Sequence, residues 1–306
     1  MHNYLIVILG PTGVGKTDTA ASIAKTLQSE IISCDSRQFY REMKIGTSVP
    51  PDYLLNEVRH HFIRFIPVDE YYSSSLYERD VLRLLPELFA RSPFVLMTGG
   101  SGLYIDAVCN GIDDIPDIDP STREKFNRMF LEEGIESLRA ALRLVDPVYY
   151  STVDLKNHKR IIRALEIHES TGKQYSSFLA GEKTERPFGI IKIGLNRPRA
   201  ELYERINTRV DEMITMGLEE EVKSLAEYRN LNALNTVGYK EFFEYFDGKI
   251  SRETAIELIK RNTRRYAKRQ LTWWARDNEI EWFHPGDNEK ILDFIKDCTV
   301  KHDRRE

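Results

Sequence analysis

Gly10, Gly15, Lys16 and Thr17 complete a G-x-x-x-x-G-K-[ST] spacing inside LIVILGPTGVGKTDTAASIAK, residues 5–25. A glycine-rich loop of this spacing, set between an apolar strand and a helix, holds phosphate. Successive amides from Gly13 to Thr17 would face phosphate oxygens, and the helix N-terminus adds partial positive charge. Lys16 supplies a mobile cation. The Thr17 hydroxyl can serve Mg²⁺ or a bridging oxygen. The candidate diphosphate cradle is therefore Gly10, Pro11, Thr12, Gly13, Val14, Gly15, Lys16 and Thr17. Nothing in the spacing requires a nucleoside.

Three further features bear on the chemistry. Asp35 closes the short apolar stretch Ile31–Ser33 and would stand beside the phosphate loop; it is either a catalytic carboxylate or the N-cap of a following helix. Nucleotide hydrolases and kinases often end a later strand in a second, metal-holding acid, but here FVLMTGG puts Thr98, Gly99 and Gly100 at that point. Arg209 lies seven residues after Leu202, within about 20° of an apolar helical stripe. A buried arginine needs a partner, so it is either in a structural salt bridge or clamps phosphate.

The charges are unevenly spread. Ile259 to Arg276 carries seven Lys or Arg and no acid, against a net charge of −4 for the whole chain. Such a stripe is either a solvated helix face or a polyanion surface. Tyr266, Trp273 and Trp274 lie among the cations, and rings beside cations suit single-stranded nucleic acid. Lys156, Lys159, Arg160 and Arg163 form a second basic helical face, solvated or the other jaw of a groove.

These residues need elements to position them. Residues 4–9, 31–33, 94–98 and 189–196 read as strands, alternating with helices after the phosphate loop and from about residue 101. That alternation predicts a parallel α/β sheet of P-loop NTPase type, with functional loops at the strands' carboxyl ends. GIDDIPDIDP, 111–120, is acidic and proline-punctuated and reads as a boundary. Residues 121–172 show helical spacing alone. The expected organisation is a P-loop core over 1–114, a helical insertion over 115–186, and a return to the core with C-terminal helices over 187–306. Leu202, Ile206, Val210, Met213 and Leu218 keep a 3.6 period, with Gly217 as a break.

At 306 residues the chain can bury a full core. No apolar run approaches the roughly 18 residues that a membrane span needs. Cys34, Cys109 and Cys298 are far apart and form no C-x-x-C pair. A disulfide framework or zinc knuckle is not expected, and a reducing cytoplasm is.

The chain resembles the bacterial tRNA dimethylallyltransferases, also called tRNA isopentenyltransferases. The resemblance runs nearly end to end through GPTGVGKT (10–17), DSRQFY (35–40), GGSGLY (99–104), NHKRIIRALEI (157–167), RVDEMITMGLEEEV (209–222), TVGYKEF (236–242) and RRYAKRQLTWWAR (264–276). It implies transfer of a dimethylallyl group from its diphosphate to N6 of adenosine 37 of tRNA, with Mg²⁺, by a monomer. Asp35 would be the base; Lys16, Thr17 and Arg209 would stabilise the leaving diphosphate, and Ser101 would flank the reaction channel. The implied tRNA contacts are Asp35, Ser36, Arg37, Gln38, Ser101, Arg123, Lys159, Arg160, Ile161, Ile162, Arg163, Lys240, Lys268, Arg269, Gln270 and Trp273. Some relatives carry Thr at the position of Ser101, which preserves the hydroxyl, and some carry Gln at that of Arg265. The eukaryotic relatives' zinc-finger extension is absent. A P-loop small-molecule kinase is the alternative reading, and a nucleotide-sensing module a third.

Overall fold

The structure, a computed structural model, describes residues 2–112, 120–179 and 184–303. Six parallel strands make one sheet: β1 (Tyr4–Leu9), β2 (Ile31–Ser33), β3 (His60–His61), β4 (Phe94–Gly99), β5 (Gly189–Leu195) and β6 (Glu281–Phe283), ordered β3-β2-β4-β1-β5-β6. β1 is buried along its whole length, as a central strand covered on both faces must be, which is why its sequence is a continuous apolar run rather than an alternating one. It pairs with β4 from Tyr4↔Phe94 to Leu9↔Gly99 and with β5 from Tyr4↔Gly189 to Leu9↔Gly194. The four strands expected from sequence are present, and 189–195 does return to the same sheet. The edge strands β3 and β6 were not foreseen. Two and three residues with polar members carry no usable alternation, and only pairing with β2 and β5 makes them strands.

The register brings the carboxyl ends of β1, β2 and β4 together. The phosphate loop follows β1, Asp35 follows β2, and the glycine-rich turn Gly99–Gly102 follows β4. Strand order reverses around β1, so these loops surround a switch point, where open α/β sheets bind ligands. Two apolar clusters cover the sheet. Leu5, Val7 and Leu9 face one, with Met97, Tyr77 and Tyr239; Ile6 and Ile8 face the other, with Ile23, Leu202 and Ile206.

The chain divides into two compact units, Met1–Asn110 with Arg186–Glu306, and Gly111–Glu185. The second contains helices Pro120–Glu133, Ile135–Val145, Pro147–Thr152 and His158–Thr171 around Phe126, Leu138, Leu142, Ile161 and Leu165. Most of the boundary read at 111–120 falls on 113–119, and the insertion's polar end begins on 180–183; both stretches lie outside the described residues. In the first unit the helix Arg199–Thr215 carries the apolar stripe. Gly217, at φ 98°, breaks it before Leu218–Ser224. All cations of the basic stripe except Arg276 belong to one helix, Arg252–Trp274. Among the described residues, no helix is long and apolar enough to cross a membrane.

Candidate active site

The phosphate loop is held from outside by one helix and the segment before it. Arg197 Nε donates to Val14 O (2.8 Å), Arg205 Nε to Gly13 O (3.1 Å) and Arg209 Nη1 to Thr12 Oγ1 (3.2 Å). Pulling those carbonyls outward leaves the loop's N–H groups facing the other way. Gly13 takes φ +81°, and a Cβ there would lie 2.8 Å from Ile206 Cγ1, so only glycine allows the loop to lie against this helix. Within the described residues, the amides of Gly13, Gly15, Lys16 and Thr17 have no hydrogen-bond partner, whereas Val14 N closes a turn on Pro11 O at 3.3 Å. Val14 thus drops out of the expected donor row, and four amides remain.

Lys16 Nζ folds back onto Gly10 O (2.8 Å) and Pro11 O (3.0 Å). Burial lowers its pKa to about 8; nearby Asp35 pulls it up and Arg209 pushes it further down. A lysine with a depressed pKa is charged below that value and neutral above it, so anion affinity should fall as pH rises past about 8. Titrating inorganic diphosphate by calorimetry between pH 7 and 9.5 should show affinity lost by up to about tenfold per unit above that point. Binding there should take up a proton, and Lys16→Ala should not. Constant affinity through the window, without proton uptake, would rule this out.

Of the two readings of Arg209, the structural salt bridge is not found among the described residues. Arg209 Nε donates to Ser48 Oγ at 2.7 Å and its Nη1 to Thr12 Oγ1, and among the described residues it forms no ion pair with a carboxylate. Burial lowers its pKa. A desolvated guanidinium held only by hydroxyls, beside a desolvated ammonium, leaves positive charge for an anion to compensate. Ser48 is one of four non-glycine residues at positive φ (+49°) among the described residues, and its neighbourhood is fixed from afar. Glu221 accepts from the amides of Lys44, Ile45 and Gly46 at 2.7–3.0 Å and from the Tyr239 hydroxyl at 2.6 Å.

No helix follows Asp35, so it is not the N-cap that the sequence allowed; it stands in a turn with Arg37 N donating to its Oδ1 (3.0 Å), and Oδ2 keeps no partner among the described residues. Ser36 N and Ser101 Oγ are 3.0 Å apart, and Ser101 Oγ donates to Ser36 Oγ at 3.1 Å, joining the Asp35 arm to the glycine-rich turn. The Thr17 hydroxyl at the base of the loop makes no hydrogen bond in the described residues. They also contain no cluster of His, Cys, Asp or Glu suited to a metal. One hydroxyl with no carboxylate cage suits Mg²⁺ arriving with substrate phosphates, since that ion keeps several waters and few protein ligands.

The expected nucleic-acid contacts separate into two groups. Lys240, Lys268 and Arg269 are exposed and have no ion pair among the described residues, as is true of Lys159 and Arg160 in the insertion. Tyr266 is 37% exposed, with Arg269 over its ring at 5.6 Å. Others are committed elsewhere. Ile161 and Ile162 are core residues of the insertion. Arg123 forks onto the buried Glu166 (2.7 and 3.1 Å), with Arg163 at 3.6 Å. Gln38 receives from Ser33 Oγ and donates to Thr47 O and Ser48 O, leaving its amide no donor for a base edge. Trp274 is 2% exposed and belongs to the core rather than to a stacking surface. Gln270 is 6% exposed, inside the site rather than on a binding face. Trp273 Nε1 donates to Asp106 Oδ2 (3.1 Å), and Arg276 covers the ring at 4.1 Å. Arg197, Arg205 and Ser48 were missed. The i, i+4 spacing of Arg205 and Arg209 was a usable signal for one of them; Ser48 had none.

The family model described as IPP transferase matches residues 38–277. The chain is 52% identical to tRNA dimethylallyltransferase 1 of Bacteroides fragilis (strain YCH46), over 95% of this chain and 97% of that one. Among solved structures, it is similar to the full-length tRNA isopentenylpyrophosphate transferase of Bacillus halodurans (TM-score 0.71, 34% identity, 98% of this chain and 99% of that one). It is also similar to a eukaryotic dimethylallyltransferase described as acting on tRNA (TM-score 0.78, 25% identity, 96% of this chain and 80% of that one). With a match across most of its length to that model and half its residues shared with such a relative, the chain belongs to the IPP transferase family, that of the tRNA dimethylallyltransferases.

Proposed function

We propose that the protein transfers the dimethylallyl group of dimethylallyl diphosphate to N6 of adenosine 37, beside the tRNA anticodon, and releases diphosphate. The observation that carries the reading is a pair of buried cations held by no ion pair among the described residues, Lys16 and Arg209, next to a carboxylate, Asp35, that acts on both by charge but is hydrogen-bonded to neither. The first receives a leaving anion and the second receives a proton.

The exocyclic amine of adenine is a weak nucleophile because its lone pair is delocalised into the ring. As the N6–carbon bond forms and the carbon–oxygen bond to diphosphate breaks, Asp35 Oδ2 takes the N6 proton. The bonding electron pair leaves on diphosphate. The amides of Gly13, Gly15, Lys16 and Thr17, with the Lys16 ammonium and the Arg209 guanidinium, stabilise that charge where it develops. The Thr17 hydroxyl would hold Mg²⁺, which supplies further charge neutralisation on the diphosphate. Ser101 keeps the arm bearing Asp35 against the glycine-rich turn. The base reaches the site by leaving its stack, at least cost from a single-stranded loop.

Lys240, Lys268 and Arg269, and Lys159 and Arg160 of the insertion, are the cations that remain for tRNA phosphates. Changing Lys268 and Arg269 together to Gln should weaken tRNA binding and lower the slope of log affinity against log salt by about one per lost contact. An unchanged slope would return this face to ordinary solvation. We place the enzyme in the cytoplasm, acting as a monomer. Pyrophosphate release that requires both the prenyl donor and unmodified tRNA tests the reading, with ATP hydrolysis run alongside. Phosphate released from ATP with the prenyl donor inert would favour a kinase instead.

A further inference from the structure

Gln270 projects from the basic helix into the gap between the two halves of the site. Its Oε1 accepts from Thr12 N of the phosphate loop at 2.8 Å, and its Nε2 donates to Gly100 O of the glycine-rich turn at 2.7 Å. The turn is shaped around it. A Cβ on Gly100 would lie 2.4 Å from Gln270 Nε2, and one on Gly102 would lie 2.5 Å from the Trp273 ring. Gln270 and Trp273, three apart on one helix face, therefore seat on either side of Ser101, the residue that holds the Asp35 arm through Ser36. At the other end, the Thr12 residue whose amide Gln270 engages also receives Arg209 on its hydroxyl.

We propose that Gln270 is a positioning residue: it sets the distance between the phosphate loop and the Ser101–Ser36–Asp35 arm, and so between the leaving group and the proton acceptor. What that distance is used for rests on the transferase reading; the bridge itself does not. A leucine would fill the same volume but leave a partly buried N–H and a buried carbonyl without partners, so the side chain is there for its two hydrogen bonds and not for packing. Its two polar side-chain atoms bond loop and turn, with the Tyr266 hydroxyl beside them, and tRNA affinity rests with its exposed neighbours Lys268 and Arg269.

Gln270→Leu, Gln270→Ala, Gly100→Ala and the Gly100→Ala/Gln270→Ala double variant test this. Three quantities would be measured on the full chain: the Kd of inorganic diphosphate with Mg²⁺, the Kd of unmodified tRNA, and the single-turnover rate with saturating prenyl donor and tRNA. Gln270→Leu should weaken diphosphate binding by about tenfold and slow turnover by at least as much, with tRNA affinity within about twofold. Gly100→Ala, which displaces the amide from the opposite side, should reproduce the pattern, and the double variant should be no worse than the poorer single one. Loss of tRNA affinity with diphosphate binding intact would make Gln270 a tRNA contact and overturn the proposal, as would additive losses in the double variant. Should the wild-type protein transfer no prenyl group, the diphosphate titration still decides the bridge, and only the functional reading falls.

Discussion

Asp35→Asn is expected to lower the single-turnover rate of prenyl transfer by about 10²–10⁴-fold while leaving tRNA affinity within a few-fold. The substitution is close to isosteric, and its Oδ1 can still accept from Arg37 N, so the turn that carries residue 35 is retained. What changes is the other atom, which becomes an NH₂ that cannot take a proton from N6. Diphosphate binding should hold or tighten slightly, because a negative charge near Lys16 and Arg209 has been removed. Measuring rate, tRNA Kd and diphosphate Kd on one preparation separates the possibilities. Parallel losses in rate and tRNA affinity would mean that Asp35 binds rather than reacts.

Glu221→Ala should be the most destabilising single change near the site, by about 3–5 kcal/mol. One carboxylate satisfies three consecutive amides, from Lys44 to Gly46, and the buried Tyr239 hydroxyl. Its removal strands all four donors in a partly buried setting, and no rearrangement of a single turn can pair them. Thermal unfolding should fall by on the order of 5–10 °C, with Glu221→Gln intermediate because one amide oxygen can still accept. A functional loss should accompany it: the same turn carries Ser48, the hydroxyl that Arg209 Nε meets, so diphosphate affinity should weaken in step with stability. A midpoint within 1 °C of wild type would show that the turn stands without Glu221.

The elements that sequence reveals best here are those whose local pattern and tertiary role coincide. β1, β2, β4 and β5 are apolar runs that become buried strands, and the glycine loop is legible because its spacing is its geometry. Legibility fails where one residue type serves two ends. The resemblance implies Gln38 and Gln270 as tRNA contacts, yet Gln38 joins the Ser33 hydroxyl to the carbonyls of Thr47 and Ser48, and Gln270 ties two backbone segments together; nothing local distinguishes a glutamine that faces solvent from one whose partner is 258 residues away. Trp274 and Ile162 sit within runs of cations, but helical phase turns them inward. Arg209 was readable as buried and not as unpaired, because the absence of a carboxylate is a property of the whole neighbourhood. β3 and β6 owe their existence to their neighbours.

The register of the sheet also determines when the site can exist. β1 and the phosphate loop leave the ribosome before their partners, for β1 pairs with strands that begin at Phe94 and Gly189, and Thr12 waits for Gln270. At the usual ~5–20 residues per second of synthesis, the 258-residue separation corresponds to roughly 13–50 s. Through that interval the nascent chain carries an apolar strand with a free edge and a phosphate loop without its bridge, a state open to mispairing. The phosphate loop is thus made long before the residue that bridges it, and the site cannot close until Gln270 has been synthesised.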